Sequence, residues 1–140
     1  MTAVTYVAKR SVIAGRTAGL EYGLNLRIAE GGLQVARKVG STVQRSLSDR
    51  TETLYYYGKA TYSLIAIAAG ATERAALEEF LHSTEAQEAF TFSPYGTVAS
   101  PGTTLTARRV DGSYQWERLD NTGSTSVEDV MRASFEIEAV

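Results

Sequence analysis

Residues 24–39 read Leu24-Asn25-Leu26-Arg27-Ile28-Ala29-Glu30-Gly31-Gly32-Leu33-Gln34-Val35-Ala36-Arg37-Lys38-Val39. Leu24, Leu26 and Ile28 fall on one parity and Asn25 and Arg27 on the other, the period-two pattern of a strand with one dry face. Leu33, Val35 and Val39 take up the alternation again after Gly31-Gly32, a dipeptide that supplies turn geometry. The stretch therefore predicts a β-hairpin, and it sets the class of everything around it.

Further along, residues 43–47 and 53–57 are β-favouring runs parted by the turn formers Ser48-Asp49-Arg50. Residues 62–68 are rich in Ile and Leu with weak alternation, which predicts a central strand. Phe90-Thr91-Phe92 sets two aromatics on one strand face, and Ser93-Pro94-Tyr95-Gly96 punctuates its end. A polar loop follows to about Thr103. Residues 105–110 and 114–119 flank Asp111-Gly112, a dipeptide that accepts positive φ, so a second hairpin is expected there. Residues 121–126 form a polar connection, and Ala133, Phe135 and Ile137 alternate with Ser134, Glu136 and Glu138 in a terminal strand. Gly15, Gly19 and Gly23 read as turn positions, because no phosphate-cradling glycine motif surrounds them.

One segment has a different period. Thr72 as N-cap, the early acid Glu73 and the strong helix formers up to Leu81 predict a helix over 72–81. Leu77, Phe80 and Leu81 make its apolar stripe, with Glu73, Glu78 and Glu79 expected towards solvent.

The chain has 140 residues, 44% apolar and 21% charged, which suits one hydrophobic core and a single domain over 1–140. Seven or eight short strands around one helix predict a mainly β fold, an antiparallel β-sandwich or split barrel with the helix packed outside. A net charge of −2 lacks the basic footprint of a nucleic-acid binder, so no sequence-specific nucleic-acid partner is expected. Zero cysteines and one histidine remove disulfides, thiolate nucleophiles and any metal site needing two imidazoles. The expectation is a chain with no catalytic residues, no metal and no cofactor, hence no enzyme. No apolar run approaches the roughly 20 residues of a membrane-crossing helix. The first residues, interrupted by Thr5, Lys9, Arg10 and Ser11, lack a signal-peptide core.

The remaining polar features have ordinary readings. His82 suits a helix end, where a cation is favoured. Glu78 and Glu79 point about 100° apart and do not converge, so both are read as solvated. Arg108-Arg109 reads as a surface pair. Tyr55-Tyr56-Tyr57, with Tyr62 nearby, must expose at least one ring opposite the core, which suits a subunit contact. Plain sheet surface and a stacking platform are the alternatives.

In this order of elements, Leu77-Glu78-Glu79-Phe80-Leu81 follows an apolar strand and precedes Phe90, Phe92, Pro94 and Gly96. That arrangement resembles small tail-tip proteins of long-tailed bacteriophages, the distal tail protein family and its minor tail relatives, in which a strand leads into an "LEEFL" helix and then an "F-x-F-x-P-x-G" strand and turn. The similarity covers roughly residues 53–96. It implies a structural virion protein of the tail, assembled in the host cytoplasm. The resemblance further implies a ring, commonly a hexamer, that joins tail-tube and tail-tip or baseplate proteins. The chain has no room for the additional carbohydrate-binding or arm domain of larger members. Alternatives are a tail-tube or tail-terminator subunit, or a carbohydrate-binding β-sandwich stacking sugars on Tyr55, Tyr57 or Trp116.

Ring contacts are heterologous and need two different patches per subunit. The candidate interface comprises Tyr55, Tyr56, Tyr57, Pro94, Tyr95, Gly96, Val98 and Pro101. The last five belong to a segment, 93–104, whose small polar residues cannot bury enough surface to order themselves, so it is expected to project.

Overall fold

The computed structural model describes residues 2–45, 51–118 and 130–140, with the backbone alone at 38, 40, 42, 44–45 and 51–57. Its elements run β1 (Thr2–Val7), β2 (Glu21–Arg45), β3 (Thr51–Ala69), α1 (Gly70–Ser83), β4 (Phe90–Ser93), β5 (Leu105–Arg118) and β6 (Val130–Ala139). Neighbouring strands are antiparallel, and the order β1-β2-β3-β6-β5-β4 closes on itself. The molecule is mainly β with one helix. A closed barrel takes the place of the expected sandwich or split barrel, and closure removes the open strand edges that a sandwich leaves.

Among the described residues there are six strands, fewer and longer than expected, because both anticipated hairpins are single bulged strands. In β2, Ile28 pairs with Ala66 and Leu33 with Leu64, so five steps on one strand match two on the other. The Gly31-Gly32 pair lies in that bulge, with Gly31 at φ +69. In β5, Arg109 pairs with Ile137 and Tyr114 with Phe135, and Asp111-Gly112 sits in the excess. A bulge can use a glycine at positive φ just as a tight turn does, so these dipeptides mark either. Both bulges fall at the level of the Leu64–Phe135 pair, on opposite flanks of β3 and β6. The true β2–β3 connection and the 121–126 segment lie outside the described residues.

Residues 62–68 lie between β2 and β6, as a central strand should. β1 was not foreseen. It pairs with β2 from Thr2 opposite Leu26 to Val7 opposite Glu21, and with β4 on its other side. Inward-facing Val4 and Tyr6, Leu26, Tyr62, Leu64, Ala66 and Ala68, Phe90 and Phe92, Ala107, and Ala133, Phe135 and Ile137 line the interior.

The helix begins and ends two residues beyond the expected range. Gly70, at φ +87, turns β3 into α1 with no intervening loop, a conformation glycine adopts without strain. The N-cap is Ala69, which has no capping side chain. Glu73 takes over the role assigned to Thr72, its Oε2 accepting the Ala69 amide at 2.6 Å. The helix packs on the interior-facing residues, not outside the sheet. Phe80 meets Tyr6, Phe90 and Phe135 edge-on at centroid distances of 5.3, 5.1 and 6.0 Å. These rings come from three strands, an arrangement favoured by the aromatic quadrupole. Leu77 and Leu81 are buried beside it, as the stripe predicts.

Candidate functional site

Three surfaces are built on this frame: an arm, a groove and a folded-back loop. The arm is the far end of β2 and β3. From Arg37 opposite Ala60 to Arg45 opposite Thr51 the two strands pair only with each other, because β6 joins β3 at Thr61. At about 3.3 Å per residue this arm extends about 30 Å beyond the barrel wall. Val35 at its root, Val39 and Val43 share a parity and are 52%, 48% and 63% exposed. The alternation in residues 33–39 was legible: Leu33 packs against the core, but from Val35 onward the same face is left uncovered. Tyr57 and Tyr55 pair with Gly40 and Ser41, and Tyr56 is the extra residue between them. The expected exposure of these tyrosine rings lies outside the described side chains.

The groove runs over the outer face of β3, β6 and β5 and measures about 520 Å³. Ser63 and Ile65, Ser134 and Glu136, and Asp111, Ser113 and Gln115 line it. The β5 bulge makes the groove, because bowing of residues 110–113 leaves Glu136 without a strand partner on that side. Asp111 accepts the Ser113 amide at 2.8 Å, which with a further bond to the Ser113 side chain and distant Arg109 holds its carboxyl below the ordinary range.

Arg109 fixes the shape of the bulge. It was expected on the surface but is fully buried, 0% exposed, on the same inward parity as Ala107. One nitrogen donates to the Leu81 carbonyl at 2.7 Å, and another to those of Gly112 and Ser113, each at 2.6 Å. Its cation lies over the Tyr114 and Phe135 rings at 5.2 and 5.9 Å. Burial pushes this guanidinium down from the usual arginine range. Arg108 does point outward and pairs with Glu138 at 2.8 Å.

The third surface, residues 93–104, folds back instead of projecting. Thr2 Oγ1 donates to the Pro94 carbonyl at 2.9 Å, and the Val98 amide donates to Asn25 Oδ1 at 2.9 Å. Val98 rests on Gly23, where a Cβ would lie 2.6 Å from its Cγ1. Gly23 is therefore a packing position within β2, not a turn. Pro94 and Gly96 are buried, Gly96 against the Pro101 backbone, while Val98 and Pro101 are exposed and Tyr95 is 75% exposed. Trp116 is half-buried and packs against the core, which takes much of its ring out of reach of a stacking sugar.

Of the three helix acids expected in solvent, Glu73 and Glu78 are partly exposed and Glu79 is 0% exposed. Tyr6 donates to its Oε1 at 2.6 Å, the Ile13 amide donates to its Oε2 at 2.6 Å, and Arg16 pairs with it. Burial alone would raise this carboxyl. The donors from Tyr6, Ile13 and Arg16 outweigh burial and hold it below the ordinary glutamate value. Burial and the Glu79 charge push the Tyr6 hydroxyl far up. Ser83 Oγ accepts the Lys9 and Arg10 amides, so the segment between β1 and β2 is stitched along the second face of α1. His82, in the last helical turn, bridges Ser11 Oγ at 2.6 Å and the Tyr114 hydroxyl at 2.7 Å. This network is architectural.

No protein-family model matches the chain, and no curated protein matches it. Among solved structures, it is similar to a chain of the tail of an empty GTA particle, computed with helical refinement in C6 symmetry. The TM-score is 0.45 at 13% identity, over 82% of this chain and 78% of that one. Among the described residues, no helix is long and apolar enough to cross a membrane.

Proposed function

We propose that this chain is a structural, self-assembling subunit of a long-tailed bacteriophage virion, a ring protein at the distal end of the tail tube where the tube joins the tip or baseplate. The tail assignment rests on the resemblance carried by residues 77–81, Phe90, Phe92, Pro94 and Gly96. Self-assembly rests on one observation, the arm. A two-stranded ribbon is marginal in water on its own, and this one carries Val35, Val39 and Val43 on an uncovered face. A neighbouring subunit supplies the missing layer. An arm on one side and a receiving surface on another make a heterologous contact, which closes into a ring or grows into a filament. The role is scaffolding without catalysis, with copies of the chain, tail-tube proteins and tail-tip proteins as partners.

Sedimentation over rising concentration and micrographs of the purified chain test this reading. Closed rings are expected, six-membered if the resemblance extends to ring size. Stacks that lengthen without limit move the chain to the tail tube. A chain that stays monomeric at every concentration and within native particles overturns self-assembly.

A further inference from the structure

We infer that the groove over β3, β6 and β5 is the seat for the β2–β3 arm of a second copy, an inference that rests on the self-assembly proposed above. Charge decides the pairing. Residues 31–59 hold five basic residues and two acidic ones, whereas the rest of the chain holds nine basic and fourteen acidic. Between Gly31 and Arg45 there are three bases and no acid. Arm against arm therefore repels and arm against body attracts, which selects a head-to-tail contact over a symmetric one.

Within the body, the groove has the matching chemistry. Asp111 and Glu136 belong to a lining without lysine or arginine; Arg109 reaches Asp111 only from beneath, through the Gly112 and Ser113 carbonyls that it holds, and among the described residues neither acid forms an ion pair. Glu138, the next outward acid on β6, is already neutralised by Arg108. Ser63, Ser113, Ser134 and Gln115 add hydroxyl and amide partners, and Ile65 offers an apolar contact for a valine face. Arg109 holds the Gly112 and Ser113 carbonyls from below, so the rim is set before a partner arrives and little ordering cost falls on association.

Two variants of the full chain test this. Asp111→Lys/Glu136→Lys spoils the groove and keeps the arm, while Val35→Glu/Val39→Glu spoils the arm and keeps the groove. Each alone should raise the concentration needed for association by about tenfold or more. An equimolar mixture should form a one-to-one dimer and stop there, because one intact arm and one intact groove remain. Parent association should weaken as salt rises. Asp111 also holds the Ser113 amide, so Glu136→Lys alone, at an exposed position, serves if the double variant does not fold. A folded groove variant that associates like the parent, or a mixture that stays monomeric, overturns the seat while leaving self-assembly standing. A parent chain that never associates overturns both.

Discussion

Arg109 on β5 and Leu81 on α1, 28 residues apart in the chain, are joined by a 2.7 Å hydrogen bond from guanidinium to carbonyl. The same side chain holds two carbonyls of the bulge, so one buried cation welds the end of the helix to the strand that shapes the groove. A cation near a helix C-terminus is also favoured by the aligned peptide dipoles.

Replacing Arg109 with Leu should lower stability by about 2–4 kcal/mol, because the Leu81, Gly112 and Ser113 carbonyls lose their donor in a buried site. Urea denaturation measures it. Arg109→Lys should fall between, since one ammonium lacks the planar fork that reaches all three. A loss below about 1 kcal/mol for the leucine variant would mean that water takes over the carbonyls.

Glu79 makes stability depend on pH in a fixed direction. Its folded pKa lies below its unfolded value of about 4.3, so its contribution is fully present above that value. The contribution is lost as pH falls through the lower folded pKa. Urea midpoints of the parent should therefore drop below about pH 4. Glu79→Gln should cost about 2–3 kcal/mol at pH 7 and show a shallower slope in that acid window. Equal slopes in the two proteins would assign the acid sensitivity to other carboxylates.

Phe80→Ala should cost about 3–5 kcal/mol, the range for truncating a buried aromatic. Three edge-on ring contacts disappear together, and the walls that carry them are tied into the closed sheet and cannot collapse inward freely. A cost under about 1 kcal/mol in chemical denaturation would place the ring outside the core.

Asn25→Ala should free the folded-back loop without unfolding the barrel. Loss of the one hydrogen bond that the Val98 amide donates, about 1 kcal/mol, corresponds to roughly fivefold faster hydrogen exchange at Val98, with the global melting temperature little changed. Deleting residues 97–102 should likewise leave the barrel folded, because closure entropy varies slowly with loop length. Unchanged exchange at Val98 in the alanine variant would show that its packing on Gly23 alone holds the loop.

The helix stripe was readable because Leu77, Phe80 and Leu81 repeat with the helical period and all belong to the one core cluster. Glu79 was not, because it lies roughly 200° around the helix from Leu77 and is buried by residues 8–16, whose arrival no local pattern announces. Arg109 carried a usable signal. It shares its parity with Ala107, so an inward cation could have been read from β5 itself. Gly31 and Gly112 do sit at positive φ, but composition does not distinguish the chain reversal expected at Gly31-Gly32 and Asp111-Gly112 from a bulge within one strand. Of the two surfaces proposed for assembly, the alternating valines were visible and the acidic groove was not, since Asp111 and Glu136 come together only through the register shift between β5 and β6.

β3 is one uninterrupted strand from the arm, through the barrel wall, to Ala69, and Gly70 starts the helix with no slack between them. A pull on the arm therefore has no loop in which to dissipate. The load travels along a single rod of backbone, is shared sideways with β6 from Thr61 onward, and ends at a helix held at its Leu81 carbonyl by Arg109 and at Glu79 by Tyr6 and Arg16. The chain is thus laid out as a tension member, with its anchor placed at the mechanical end of its own handle.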